Sequence, residues 1–370
     1  MNIQLEIAED GRSLRIGWPD GEGVELGARW LIDHADGRRD PVSGQRGRGA
    51  LELGDGARIL AARIEDAALL VGLASGETCG VSLERLRRQD RQTREPWLTP
   101  EPIAQAEPVS FEAYLHDETA LREALSRVVR HGLARLDGAA AGPGEVARAV
   151  ARFGFIRETN YGRIFDVRIT ASAANLAFSN KALELHTDNP YRDPPPTLQL
   201  LHAIAADPGG GETLFVDGFA HAAALRRDAP EDFDVLARTP VRFAYADASG
   251  ARWTARAPVI ELAADGEIVA LRLNHRSLDL EPGEGRAMER WYDAYLGFHR
   301  LVHAPGAAFE RALQPGEMVI FDNLRILHGR RPLTGGSPRW LQGCYADRDG
   351  LGATLERSQA SISGECADGR

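Results

Sequence analysis

From Leu183 onward the chain is a succession of short apolar runs: LELHTD, TLQLLHAI, ETLFVD, VRFAYA, VIEL, IVALRLN, MVIFDN and LQGCYAD. Each is too short for a typical helix and is followed by residues that favour turns, which is the signature of β-strands. Two helical stretches interrupt them, at 219–237 and 284–303. In the second, Met288, Trp291, Tyr292, Tyr295 and Val302 form an apolar stripe that reads as core packing or as a homodimer contact. Many short strands with few helices predict a mainly β fold with flanking helices, a jelly roll (double-stranded β-helix).

The rest of the chain divides by composition. Residues 1–95 hold short runs at 3–7, 14–18, 50–53, 58–64 and 69–73 between Gly-containing turns, and are expected to form a small β domain. Residues 96–110 are polar and Pro-containing and read as a linker. A main domain follows at 111–355, opened by helical periods at 111–133 and 142–153. The polar tail 356–370 is expected to lack structure.

Acidic residues outnumber basic ones 54 to 44, a net charge of −10, which argues against a nucleic-acid surface. Cys79, Cys344 and Cys366 are too scattered for a disulfide scaffold or a cysteine zinc site. The N-terminus has no signal-peptide pattern, and no apolar run is long enough to span a membrane. The expected setting is therefore cytoplasmic, without membrane contact. Lys181 is the only lysine; abundant Ala, Gly and Arg point to the codon bias of a GC-rich bacterial genome.

The chemistry concentrates in His186-Thr187-Asp188. In a strand, positions i and i+2 point to one face, so both side chains can reach one ion. His328, in FDNLRILHGRRP, would complete a set of two imidazoles and a carboxylate, which leaves coordination positions open on Fe(II). Thr213 lies 25 residues after Asp188, and Arg339 lies 11 residues after His328. A guanidinium with a hydroxyl beside it suits capture of a carboxylate. Metal triad and clamp together describe a site for a 2-oxo acid chelating iron.

This pattern resembles the Fe(II)/2-oxoglutarate dioxygenases of the taurine dioxygenase type. The strings GFIRETNYGRIFDVR, NLAFSNKALELHTDNPYRDPPPTLQLLH, GGGETLFVDGF and FDNLRILHGRRP resemble, more narrowly, the γ-butyrobetaine and trimethyllysine dioxygenases. The resemblance implies iron on His186, Asp188 and His328, and 2-oxoglutarate on Arg339 and Thr213. It implies O2 as co-reactant, ascorbate as reductant in assays, and a small zwitterionic substrate. An aromatic cage of Tyr161, Phe165, Phe178 and Tyr345 would hold a trimethylammonium head, which has no N–H to donate and is attracted by ring faces. Asn175 and Asn274 match residues that hold the anionic end. A neighbouring family position supplies a lysine to the cosubstrate pocket, which makes Lys181 a candidate.

Two departures stand out. The family's N-terminal domain commonly holds zinc through three cysteines and a histidine; the corresponding ARWLIDHADGRRDPVSGQR has no cysteine, so that domain is expected to keep its β fold without zinc. Arg192 and His275-Arg276 lie near the expected anion pocket and favour a phosphonate, as in (trimethylamino)ethylphosphonate, over a carboxylate. The alternatives are hydroxylation of γ-butyrobetaine to carnitine, a taurine-like sulfonate dioxygenase, and a non-catalytic ligand-binding protein on the same fold. A zinc hydrolase would leave Thr213 and Arg339 unexplained.

Overall fold

The structure is a computed structural model and describes residues 3–47, 49–54, 56–87, 93–168, 180–207, 209–247, 249–283, 285–334 and 339–365, with side chains to 358 in the last helix. The chain divides into two compact units, Met1–Arg91 and Gln92–Arg370.

In the first unit, β1 (Gln4–Ile7), β2 (Ser13–Gly17) and β3 (Gly23–Gly27) form one antiparallel sheet, and β4 (Ile59–Glu65), β5 (Ala68–Leu73) and β6 (Thr78–Ser82) another. Helix α1 (Ala28–His34) follows β3, and α2 (Leu83–Arg87) follows β6. Leu14, Ile16, Leu31, Leu69, Val71 and Val81 are fully enclosed in one core. The run at 50–53, expected as a strand, is a 3-10 turn in which the Gly49 N–H donates to the Glu52 carboxylate at 3.0 Å.

The second unit is a double sheet. Its strands are β7 (Val109–Ser110), β8 (Leu133–Asp137), β9 (Phe165–Arg168), β10 (Leu183–His186), β11 (Leu198–Ala205) and β12 (Thr213–Asp217), then the hairpin strands β13 (Val241–Ala246) with β14 (Arg252–Ala257) and β15 (Ile260–Leu262) with β16 (Ile268–Leu271). They are completed by β17 (Phe309–Arg311), β18 (Met318–Asp322), β19 (Ile326–Arg330) and β20 (Trp340–Ala346). One sheet runs β10-β19-β12-β17 and the other β7-β8-β18-β11-β20-β9. This is the expected jelly roll with flanking helices.

Side-chain parity explains why its strands read as nearly unbroken apolar runs, since both faces are covered. Between the sheets lie Leu201, Phe215, Val319, Phe321, Ile326 and Leu341. The alternate residues of the six-stranded sheet, Leu198, Leu200, Met318, Ile320 and Cys344, pack on α4 (Phe111–His116), α5 (Glu118–His131), α6 (Glu145–Ala151) and α10 (Arg348–Glu365). Those of the other sheet, Leu185, Leu214, Val216 and Leu327, pack on α7 (Gly218–Asp228), α8 (Pro230–Arg238) and α9 (Gly285–Val302).

Several local expectations need correction. The stretch 96–110 is not a free linker: it carries α3 (Glu101–Gln105) and β7, and the buried Trp97 donates from its indole to the His131 carbonyl at 2.9 Å. The 111–133 period breaks at Asp117, whose carboxylate caps α5. The 219–237 period breaks at Pro230, which opens α8. The tail continues as α10 to Glu365, with Leu351, Thr354, Leu355 and Ser358 buried at helical spacing. The α9 stripe is core: Trp291, Tyr295, Phe298 and Val302 pack within this unit.

Candidate active site

The same parity that fills the double sheet points His186, Gln199, Thr213, His328, Arg330 and Tyr345 inward, where all six line one cavity of about 720 Å³ including its mouth. Two cross-strand pairings assemble its centre. His186 faces His328 across β10 and β19, and Thr213 faces Arg330 across β12 and β19.

Asp188 arrives differently from the strand argument. Strand β10 ends at His186, and Asp188 sits in the bend beyond it. Asn323 holds that bend: its Oδ1 accepts from the Asp188 N–H at 2.8 Å, and its Nδ2 donates to the Asp188 carbonyl at 3.0 Å. The next residue, Asn189, has φ +55°, a conformation that asparagine tolerates better than most residues.

Ligand atoms of His186, Asp188 and His328 lie within 4.8 Å of one another. The Asp188 oxygens are 3.2 Å from His186 Nε2 and 3.7 Å from His328 Nε2. His186 Nδ1 donates to the Glu184 carbonyl at 2.7 Å, which orients the ring with Nε2 toward Asp188. Burial, reinforced by the neighbouring His186, pushes the His328 pKa down to about 3, so its imidazole is neutral and fit for metal. Burial works against ionisation of Asp188, but hydrogen bonding to His186 and the adjacent imidazoles hold its carboxyl well below the usual range. Tyr345 Oη donates to Asp188 Oδ2 at 2.7 Å. Two imidazoles and an oriented carboxylate fit a divalent iron ion.

At the other end, Arg339 Nη2 donates to Thr213 Oγ1 at 3.1 Å. Arg339 is buried beside Arg330, and burial together with that second guanidinium pushes its pKa down to about 10. Paired buried cations are relieved by a bound anion. The third wall is aromatic. Tyr161 and Phe165 stand 6.2 Å apart by ring centroid, and Phe165 and Tyr345 5.0 Å apart. Behind Tyr161 stand Tyr245, at 6.1 Å, and Tyr191, whose hydroxyl is 3.3 Å from that of Tyr161.

The other candidates are placed elsewhere. Asn175 and Phe178 lie outside the described residues. Asn274 turns its Nδ2 to the Thr187 carbonyl at 3.0 Å and lines an adjoining cavity of about 580 Å³, which shares Leu183, His186 and Arg276 with the first. His275 lines that second cavity too, in an exposed 3-10 turn with its ring 6.0 Å from that of Tyr295. Arg192 is drawn off by Asn160, 2.7 Å away, and by the Trp253 ring, 5.1 Å away. Lys181 precedes β10 and is exposed; its backbone carbonyl accepts from Arg330 Nη2 at 2.6 Å. None of these four lines the main cavity.

The sequence reading missed Arg330, Gln199 and Asn323. Arg330 was recoverable, because in HGR it stands at i+2 from His328 and shares its face. Asn323 was not, since nothing local marks a contact across 135 residues.

Residues 97–345 match the family model described as taurine catabolism dioxygenase TauD, TfdA family, and the chain belongs to this dioxygenase family. It is 40% identical over 240 residues to a gamma-butyrobetaine dioxygenase of Pseudomonas sp. (strain AK-1), covering 65% of this chain and 62% of that protein. It is 34% identical over 251 residues to human gamma-butyrobetaine dioxygenase, covering 65% and 64%. It is 30% identical over 253 residues to the mitochondrial trimethyllysine dioxygenase of Bos taurus, covering 66% and 59%. The chain spans about three fifths of the length of these relatives. No helix among the described residues is long and apolar enough to cross a membrane.

Proposed function

We propose that this chain is an Fe(II)- and 2-oxoglutarate-dependent dioxygenase that hydroxylates a small trimethylammonium zwitterion. The observation that carries the reading is one cavity lined by His186, Asp188 and His328, the Arg339–Thr213 clamp, and the rings of Tyr161, Phe165 and Tyr345. Bound on the triad, Fe(II) supplies the O2 chemistry that converts 2-oxoglutarate to succinate and CO2 while one oxygen atom goes to the substrate C–H. The chain's own groups bind and orient. Arg339 and Thr213 grip the far carboxylate of the 2-oxo acid, and the three rings face the quaternary ammonium, at roughly 0.5–2 kcal/mol per ring. Position decides which carbon is oxidised, because small misplacements at a reacting centre are costly.

Succinate release tests this. Purified protein with Fe(II), ascorbate and 2-oxoglutarate is expected to form succinate with a trimethylammonium zwitterion and much less with taurine; the reverse preference overturns the reading.

For the anion we favour a phosphonate. With Arg192 and His275 outside the cavity, one observation supports it: Arg276 stands in the wall, a positive charge beyond Arg330 and Arg339, which the cosubstrate carboxylate would engage. A dianionic phosphonate uses that surplus more fully than a carboxylate does. The second reading, γ-butyrobetaine hydroxylation, is favoured by the names of the relatives. In parallel assays (trimethylamino)ethylphosphonate is expected to turn over faster than γ-butyrobetaine, with Arg276→Ala narrowing the gap. Equal or better use of the carboxylate overturns the phosphonate preference.

The cage makes a further prediction. Gly343 pairs with Phe165 across β20 and β9, and a Cβ on Gly343 would come within 2.6 Å of the Phe165 ring. Gly343→Ala is therefore expected to push the ring aside and raise KM for the trimethylammonium substrate about 3- to 30-fold, the worth of one ring face. KM for 2-oxoglutarate should stay unchanged; equal shifts in both would show general damage to the double sheet.

A further inference from the structure

Of the three rings proposed to face the trimethylammonium head, two are fixed by the double sheet and one is not. Phe165 and Tyr345 stand on the neighbouring strands β9 and β20. Tyr161 rises instead from a tight turn, closed by reciprocal backbone bonds between Thr159 and Gly162 at 3.2 and 2.9 Å, with Gly162 at φ +85°. A ring carried on a turn keeps freedom that binding must remove, unless something outside the cavity fixes it beforehand.

The segment that follows Asp188 reaches this turn at two points. Tyr191 is 3% exposed and is not part of the cavity wall. Its hydroxyl donates to Asn189 Oδ1 at 2.7 Å. A phenol has one proton to give, so the Tyr191 oxygen, 3.3 Å from that of Tyr161, is left to accept from it. Asn189 is itself buried, and the chain of hydroxyls therefore ends on a fixed acceptor. The next residue, Arg192, donates from Nη2 to Oδ1 of Asn160, the residue before Tyr161, at 2.7 Å. Both side chains are backed by the β13–β14 hairpin, where Tyr245 pairs with Trp253. The Tyr191 ring stacks on Tyr245 at 5.0 Å and 17°, and the Arg192 guanidinium lies over the Trp253 ring at 5.1 Å.

We infer that Tyr191 and Arg192 are positioning residues for the trimethylammonium cage, holding the 159–162 turn so that the Tyr161 ring stands in place before substrate arrives. This rests on the substrate reading proposed above and deepens it. It also gives Arg192 a part in the site that needs no contact with the substrate's anion.

The test is an anaerobic calorimetric titration of the full chain, loaded with Fe(II) and 2-oxoglutarate, with (trimethylamino)ethylphosphonate and in parallel with γ-butyrobetaine. Thermal melting of the metal-free proteins runs alongside. Tyr191→Phe keeps the ring on Tyr245 and removes only the hydroxyl. It is expected to weaken binding of both compounds about 2- to 10-fold, the worth of a neutral hydrogen bond, with the affinity for 2-oxoglutarate unchanged. Arg192→Met keeps an unbranched stem against Trp253 and loses the donor to Asn160; it should shift the same affinities in the same direction. Tyr161→Phe combined with Tyr191→Phe should lose less than the sum of the two single losses, because the two hydroxyls share one bond. A merely structural role would lower the melting temperature and leave both trimethylammonium affinities at wild-type strength, which overturns the inference. Additive losses in the double variant, or an equal weakening of 2-oxoglutarate, would overturn it as well. Failure of the unsubstituted protein to bind either compound would overturn the substrate reading, and the inference with it.

Discussion

Asp188→Ala is expected to abolish succinate formation, a loss of roughly a thousandfold or more in kcat, because the several kcal/mol supplied by the metal goes with its ligand. Asp188 is the only carboxylate among the described residues lining the cavity; without it, two imidazoles and neighbouring guanidiniums face a dication. The variant should still fold, because Asn323 grips the backbone N–H and C=O of residue 188 and not its carboxylate. A milder variant separates ligand from orienting group. Tyr345→Phe keeps the ring and removes the hydroxyl that donates to Asp188 Oδ2. It is expected to weaken Fe(II) binding about 10- to 100-fold, as loss of a group that orients a metal ligand does, with little change in substrate KM at saturating iron. Metal content after dialysis and an anaerobic iron titration read both effects. Asp188→Ala with wild-type iron content and turnover would remove the triad from the proposed function.

What could be read in advance divides along a physical line. Residues acting through parity on one strand were legible: once β12 and β19 are recognised as strands, Thr213 and His328 must face the same side as Phe215 and Ile326. The burial of α10 was not. Its stripe is Leu351, Thr354, Leu355 and Ser358, and with hydroxyl residues in two of four positions the segment looks polar although the spacing is helical. Ser358 satisfies its hydroxyl on the Thr354 carbonyl at 3.0 Å, which is how a polar side chain occupies an apolar face. Asp188 shows the converse. Its pairing with His186 was expected on strand geometry, yet a bend and a remote asparagine produce it. Arg192 and His275 failed for a third reason, since proximity in sequence to a site residue says nothing about which neighbour captures a long or aromatic side chain. The Trp253 ring and Asn160 capture one, and the face of Tyr295 takes the other.

The second large effect concerns stability and lies behind the site. Arg325, 1% exposed by side chain, and Asp217, 0% exposed, form a buried ion pair at 2.7 Å. Every direction around it is used. Arg325 also donates to the carbonyls of Val129, Arg130 and Glu95. Asp217 caps α7 by accepting from Phe219 and Ala220, and accepts from the Trp97 N–H at 3.1 Å. The pair thus ties the segment before α3, the end of α5 and the start of α7 to the ladder where Asp217 of β12 faces Ile326 of β19, the two strands that carry Thr213 and His328. Removing one partner leaves the other charged and buried without its counter-charge. Arg325→Met or Asp217→Leu is therefore expected to cost about 3–5 kcal/mol, visible as a lower denaturation midpoint at unchanged slope. The double variant should lose much less than the sum of the two, because no lone charge remains, although the cap on α7 is still missing, at about 1 kcal/mol. Additive losses would mean that the two residues act separately. If they act together as the geometry requires, both single variants should also raise KM for 2-oxoglutarate without contacting it, because the strands that hold Thr213 and His328 in register would no longer be pinned at that end.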